Sequence, residues 1–167
     1  MLTVLFSAIA LTASAAAAPP PAKADTWVPA DLGQLRKDPW RRESPTAYAR
    51  VKLDMNGDGL KDDAMLVTNP VRHSSALRIC LAAKEPQATR ACQILGEVDD
   101  ETGYEVMGLQ VEAPGCFDYF ALNDSPDMEG RICTRADVLD YFRVGSAASY
   151  YIYDRKTGAF NRYWYSD

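Results

Sequence analysis

Two neighbouring segments, Ser75-Ala-Leu-Arg-Ile-Cys-Leu-Ala82 and Arg90-Ala-Cys-Gln-Ile-Leu95, decide the fold. Each is a short apolar run, and the turn-rich Lys84-Glu-Pro-Gln87 lies between them, so the pair reads as a β-hairpin. The midpoint of Cys80 and Cys92 is Pro86, inside that turn. A hairpin folded there sets the two sulfurs opposite each other. The chain has four Cys, which allow three connectivities, and none stands in a C-x-x-C spacing of the redox or zinc kind. The hairpin favours Cys80–Cys92 and leaves Cys116–Cys133 to close the acidic loop between them. On the chain-entropy argument each bridge contributes roughly 3 kcal/mol.

Outward from this hairpin the signal stays strand-like. Ala47–Leu53 alternates in character, Ala64–Thr68 is a short apolar run, and Tyr104–Val111 alternates again. Val138–Val144, Ala148–Tyr153 and Ala159–Tyr165 are rich in aromatic and β-branched residues. Asp154-Arg-Lys-Thr-Gly158 reads as a hairpin loop between the last two, with Gly158 free to take a positive φ. One short helix is expected within Trp27–Asp38, where Pro29 suits a first turn and Leu32 and Leu35 stand three apart. No helix–strand alternation supports a parallel sheet. The expected architecture is a mainly β domain, an antiparallel sheet or sandwich with a short N-terminal helix, with α+β as the alternative.

Met1–Ala24 reads as a secretory signal peptide rather than as fold. Leu2–Leu11 is a short apolar run followed by the small residues of Thr12–Ala18, too short for a spanning helix. Ala13-Ser-Ala15 and Ala22-Lys-Ala24 both fit a small-x-small cleavage rule. The first Cys is Cys80, so no lipidated Cys follows the apolar run and no membrane anchor is expected. Residues 25–167 then form a single domain, periplasmic or secreted, where an even Cys count means disulfides.

The 167 residues carry 18 Lys and Arg against 23 Asp and Glu, a formal charge of −5. Losing Met1–Ala24 removes only Lys23, which makes the balance still more acidic. An acidic surface of this kind argues against a nucleic-acid partner, because phosphate neutralisation needs bases. The single His73 rules out most His-based zinc sites and leaves few routes to a His-based triad. His73 itself reads as an exposed loop residue after Pro70.

The segment with chemistry in it is Asp54-Met-Asn-Gly-Asp-Gly-Leu-Lys-Asp-Asp63. Four carboxylates in ten residues repel one another unless a cation neutralises them. The ligands offered are hard oxygens, with no thiolate or imidazole, so Ca²⁺ is the expected cofactor. Gly59 stands where a tight loop needs a residue without Cβ. The D-x-N-x-D-G-x-x-D spacing matches the first nine positions of an EF-hand loop. The bidentate Glu of the twelfth position, however, falls on Met65, and the flanks read as strands. The segment resembles more closely the strand–loop–strand calcium loops of the FG-GAP/VCBS repeat families. That resemblance implies Asp54, Asn56, Asp58, the Leu60 carbonyl and Asp62 as metal ligands. It covers about twenty residues and occurs once, so it implies a site and not a propeller. Without the bidentate Glu the affinity expected is roughly 10⁻⁵–10⁻³ M. The metal-free alternative is an Asx-rich turn between two strands.

Ser146–Asp167 resembles the ending of a group of small, uncharacterised exported bacterial proteins, which implies membership and no activity. That segment is dense in aromatics: Tyr150, Tyr151, Tyr153, Phe160, Tyr163, Trp164 and Tyr165 follow Tyr141 and Phe142. On a hairpin they occupy both faces, either as cross-strand core or with one face left over for a protein or glycan. Asp99-Asp-Glu101 and Asp124-Ser-Pro-Asp-Met-Glu129 are solvated loops or a negative surface that steers a basic partner. No G-x-S-x-G elbow exists, and His73 and Ser74, adjacent on a strand, point to opposite faces. The function expected is an exported, non-catalytic, calcium-stabilised interaction domain, of inhibitor or immunity type, with an unidentified protein or glycan partner outside the cytoplasm. The alternative is an exported glycan or peptidoglycan hydrolase acting through an Asp/Glu pair.

Overall fold

The computed structural model describes residues 26–31, 33, 39–41, 48–85, 91–120 and 129–167. The signal-peptide segment, the helix expected around Leu32 and Leu35, and Asp124 and Asp127 of the second acidic loop lie outside them. Pro29, assigned by sequence to the first turn of that helix, instead pairs with Val67 in a two-residue strand, β1 (Val28–Pro29). Pro is tolerated there because β1 is short and lies at the edge of its sheet.

Strands β2 (Arg50–Leu53), β3 (Asp62–Asn69), β4 (Ser74–Cys80) and β5 (Cys92–Val98) join β1 in one antiparallel sheet. Along it β3 is central, and β1 and β2 share one of its edges at different heights. All eight β3 residues are buried, which explains why its centre, Ala64–Val67, is a continuous apolar run rather than an alternation. Cys80 and Cys92 are register partners in β4 and β5 and form the expected disulfide.

The second sheet runs β11 (Ala159–Ser166), β10 (Ala148–Asp154), β9 (Val138–Arg143), β6 (Met107–Glu112), again antiparallel. Gly158 closes the turn before β11 with φ +70°, as expected. The two sheets share one core: Leu53, Ala64, Leu66, Leu77 and Ile79 of the first pack with Leu109, Leu139, Tyr141, Tyr151 and Phe160 of the second. The result is a sandwich. A two-stranded ribbon, β7 (Gly115–Tyr119) with β8 (Gly130–Thr134), carries Cys116 opposite Cys133 as a disulfide.

Tyr104–Val106, expected as strand, is a single turn of 3₁₀ helix, and the strand starts only at Met107. Asp100 opens this turn by accepting the Thr102 N–H and hydroxyl through one carboxylate oxygen. Arg41, 1% exposed, then donates to the carbonyls of Tyr104 (3.3 Å), which also accepts the Met107 N–H, of Glu105 (3.2 Å) and of Met107. Burying this charge against oriented carbonyl dipoles, with the Trp40 ring 3.9 Å from its guanidinium carbon, holds the entry to β6.

Within β6, Gly108 pairs with Phe142, and the Phe142 ring lies where a Cβ on Gly108 would stand. The same ring packs on Tyr48 and Trp40 at 5.8 and 6.1 Å. Gly108→Ala is therefore an overpacking change and should destabilise the fold by about 1–3 kcal/mol. Urea unfolding of Gly108→Ala, with and without Phe142→Ala, checks it: the cost of the Ala should shrink once the ring is gone.

Candidate functional site

The loop between β2 and β3 is built by its own side chains. Both oxygens of Asp54 point back into it, Oδ1 accepting the Asp58 N–H (3.0 Å) and Oδ2 the Gly59 N–H (2.9 Å). Asn56 Oδ1 also accepts the Asp58 N–H (3.0 Å), and Asp58 Oδ1 accepts the Leu60 N–H (2.8 Å). These are successive Asx turns, which give an otherwise orphaned backbone its acceptors. Gly57 and Gly59 make the curl with φ of +64° and +87°.

Asp62 closes the loop. Its carboxylate is fully buried and accepts the Met55 N–H (2.9 Å) at its near end and the Ala82 N–H (2.8 Å) beyond β4. Burial raises its pKa, the N–H donors oppose that, and the Asp58 charge adds to the rise. The donor set is therefore all oxygen, as Ca²⁺ requires, and its side-chain oxygens are turned to N–H donors of the loop and of Ala82. Among the described residues, no three Asp, Glu, His or Cys side chains gather into a group that could hold a metal ion.

Two residues to which the sequence reading gave no part in the loop, Asp137 and Arg155, hold it from outside, and Lys61 of the loop itself joins one of them. Asp137, between β8 and β9, accepts the Asp54 N–H through Oδ2 (2.8 Å), while its own N–H returns to the Asp54 carbonyl (3.0 Å). The Lys61 ammonium reaches the same Asp137 oxygen (2.9 Å). The Asp54 N–H first, and then Lys61, lower the Asp137 pKa. From the β10–β11 turn, Arg155 donates through Nε to the Asn56 carbonyl (2.6 Å) and through Nη2 to that of Gly57 (2.7 Å). Gly57 permits this because a Cβ there would collide with the guanidinium.

The aromatic hairpin is packed on both faces. Tyr151 and Phe160 belong to the core, with Tyr153 against it. On the other face, Phe117 and Tyr119 of β7 cover Tyr150 (4.8 Å) and Tyr163 (4.9 Å). Tyr165 is the extra residue of a bulge, since Ser149 pairs with Trp164 and Ala148 with Ser166. It stacks on Tyr150 at 4.2 Å and donates its hydroxyl to Asp140 Oδ1 (2.9 Å). Asp140 is 6% exposed, and burial pushes its pKa up to about 6, with the Tyr165 hydroxyl opposing and the Glu112 charge assisting. Desolvation raises the Tyr165 and Tyr150 phenols as well.

Of the remaining sequence candidates, Asp99 and Asp100 are exposed, and His73 stands in the β3–β4 turn with its ring 78% exposed and Nδ1 3.0 Å from Glu101 Oε2. Compared with family models, curated proteins and solved structures, the chain matches none of them.

The Asp140 geometry has a pH signature. A carboxyl with a folded pKa of about 6 and an unfolded value near 3.9 keeps its proton longer in the native state. Its stabilising contribution is therefore complete below about pH 4 and is lost as pH rises through 6. Chemical unfolding of Asp140→Asn beside the wild type should give near-equal stabilities at pH 4. At pH 7.5 the Asn variant should be ahead by about 2–3 kcal/mol.

Proposed function

We propose that the chain is an exported, non-catalytic binding domain that calcium rigidifies at the Asp54–Asp62 loop and whose acidic surface engages a basic protein outside the cytoplasm. The observation that carries this reading is the loop itself: an all-oxygen donor set, wound tightly by its own carboxylates, located where the turns of both sheets meet. Asp54, Asn56, Asp58, the Leu60 carbonyl and Asp62 would hold the ion. Ca²⁺ would supply charge neutralisation for neighbouring carboxylates, and the affinity expected is roughly 10⁻⁵–10⁻³ M. Export is supported by two disulfides within hairpins, which persist in an oxidising compartment. The chain's net charge of −5 supports a basic partner, with inhibition of, or immunity to, a cationic enzyme as the concrete form.

Calorimetry and thermal shift at millimolar Ca²⁺ should show binding and a rise in Tm, both lost in Asp54→Ala. A pull-down from periplasmic extract should retain a basic protein more strongly with calcium than with chelator. Absence of calcium heat removes the ion from the reading; absence of any specifically retained protein removes the partner.

One observation favours the hydrolase alternative. Asp140, held protonated beyond the ordinary carboxylate range, pairs with Gln110 of β6, and the charge of Glu112, two residues further along β6, adds to the rise. A protonated acid beside a second carboxylate is the pairing that glycoside hydrolysis uses. A peptidoglycan zymogram separates the two readings. Clearing abolished by Asp140→Asn and kept in Asp54→Ala establishes the enzyme, and no clearing by the wild type leaves the binding domain.

A further inference from the structure

A cleft of about 490 Å³ lies where three turns meet: the Asp54–Asp62 loop, the β8–β9 turn and the β10–β11 turn. Its wall includes Met55, Cys133, Thr134, Arg135, Tyr153 and Arg155. The volume is within the range of small-ligand sites. Its charge is the reverse of the chain's: two guanidinium groups and no carboxylate line it, in a protein with 23 acids to 18 bases.

The two arginines differ in what they have left to offer. Arg155 spends Nε and Nη2 on the Asn56 and Gly57 carbonyls, so its guanidinium is held in place with Nη1 remaining. Arg135 is exposed, and among the described residues it makes no hydrogen bond or ion pair, so its whole fork is free. Thr134 Oγ1 accepts the Ala136 N–H (3.1 Å) and keeps its hydroxyl hydrogen to donate. Met55, buried at 2% exposure, and the Tyr153 ring supply apolar wall. Asp54 and Asp58 on the adjoining loop, with Asp137 on the β8–β9 turn and Asp154 at the end of β10, disfavour a dianion such as phosphate. A singly charged planar anion suits one complete fork plus one fixed N–H.

We propose that this cleft binds a carboxylate: the anion lies between Arg135 and Arg155, with an apolar body against Tyr153 and Met55. The proposal does not rest on calcium in the neighbouring loop. The carboxylate comes either from a free small acid or from the C-terminus of a peptide, and the probes separate the two.

The test is a titration of the ¹⁵N-labelled full domain followed by amide chemical shifts, in chelator and again in calcium. The probes are N-acetylalanine, N-acetylalaninamide, and acetyl-Ala-Ala with a free or an amidated C-terminus. The free acids should shift the Gly57, Arg135 and Ala136 amides saturably, with a Kd on the order of millimolar, and the amides should not. Arg135→Ala should weaken binding about five- to tenfold while the Leu77 and Leu139 amides keep their shifts, which shows the fold intact. Tighter binding of the dipeptide acid than of N-acetylalanine identifies a peptide C-terminus, and the reverse identifies a free acid. Equal shifts from acid and amide, no saturation by about 50 mM, or an unchanged affinity in Arg135→Ala overturns the proposal. Binding in chelator without any calcium effect leaves this site standing and counts only against the loop reading.

Discussion

The fold depends on a reciprocal pair of hydrogen bonds between two residues 83 positions apart. Asp137 takes the Asp54 N–H on its carboxylate and gives its own N–H to the Asp54 carbonyl, so both backbone groups at the start of the β2–β3 loop are satisfied from the opposite sheet. A loop leaving a sheet carries polar groups that neither ladder serves, and in a sandwich they must find partners or reach water. Here they find each other across the layers. Lys61 compensates the Asp137 charge, and Arg155 adds two more donors on the next carbonyls. The turns of both sheets are thereby fixed at one end of the sandwich, whether or not an ion is present.

Most of the strands were legible because their residues obey simple patterns. β9, β10 and β11 follow the expected aromatic and β-branched segments to within a residue or so at each end. The Pro86 midpoint argument placed Cys80 opposite Cys92 correctly. β7 and β8 were missed because glycine, charge and cysteine dominate their composition. The signal was nevertheless there: Phe117 and Tyr119 alternate with Cys116 and Asp118, the period of a strand with one covered face. Tyr104–Val106 misled for the opposite reason, since its alternation is overridden by the Asp100 turn and by Arg41, a contact no local pattern contains. The same limit applies to the loop: Asp54, Asn56, Asp58 and Asp62 declare themselves by spacing, whereas Asp137 and Arg155 enter through tertiary packing alone.

Aromatic residues on both faces of the β10–β11 hairpin have one structural account. The sandwich core takes one face and the β7–β8 ribbon takes much of the other. A bulge gives Tyr165 its place over Tyr150 and, with it, the donor that Asp140 needs in a low-dielectric setting. Arg162, on the core-facing side, lies 3.7 Å above Trp164 with its Nε on the Ser149 hydroxyl, so even the cation at that edge is sealed by an aromatic plane.

The two bridges span only 12 and 17 residues, each inside a single hairpin. Every scrambled pairing of these four thiols has to close longer loops. By the logarithmic cost of loop closure, the two wrong isomers are disfavoured by roughly 1.5–2 kcal/mol before any native contact forms. An oxidant acting on the nascent, still random chain therefore produces the correct isomer more than tenfold over either wrong one. Chain geometry alone thus biases these four thiols toward the native pairing.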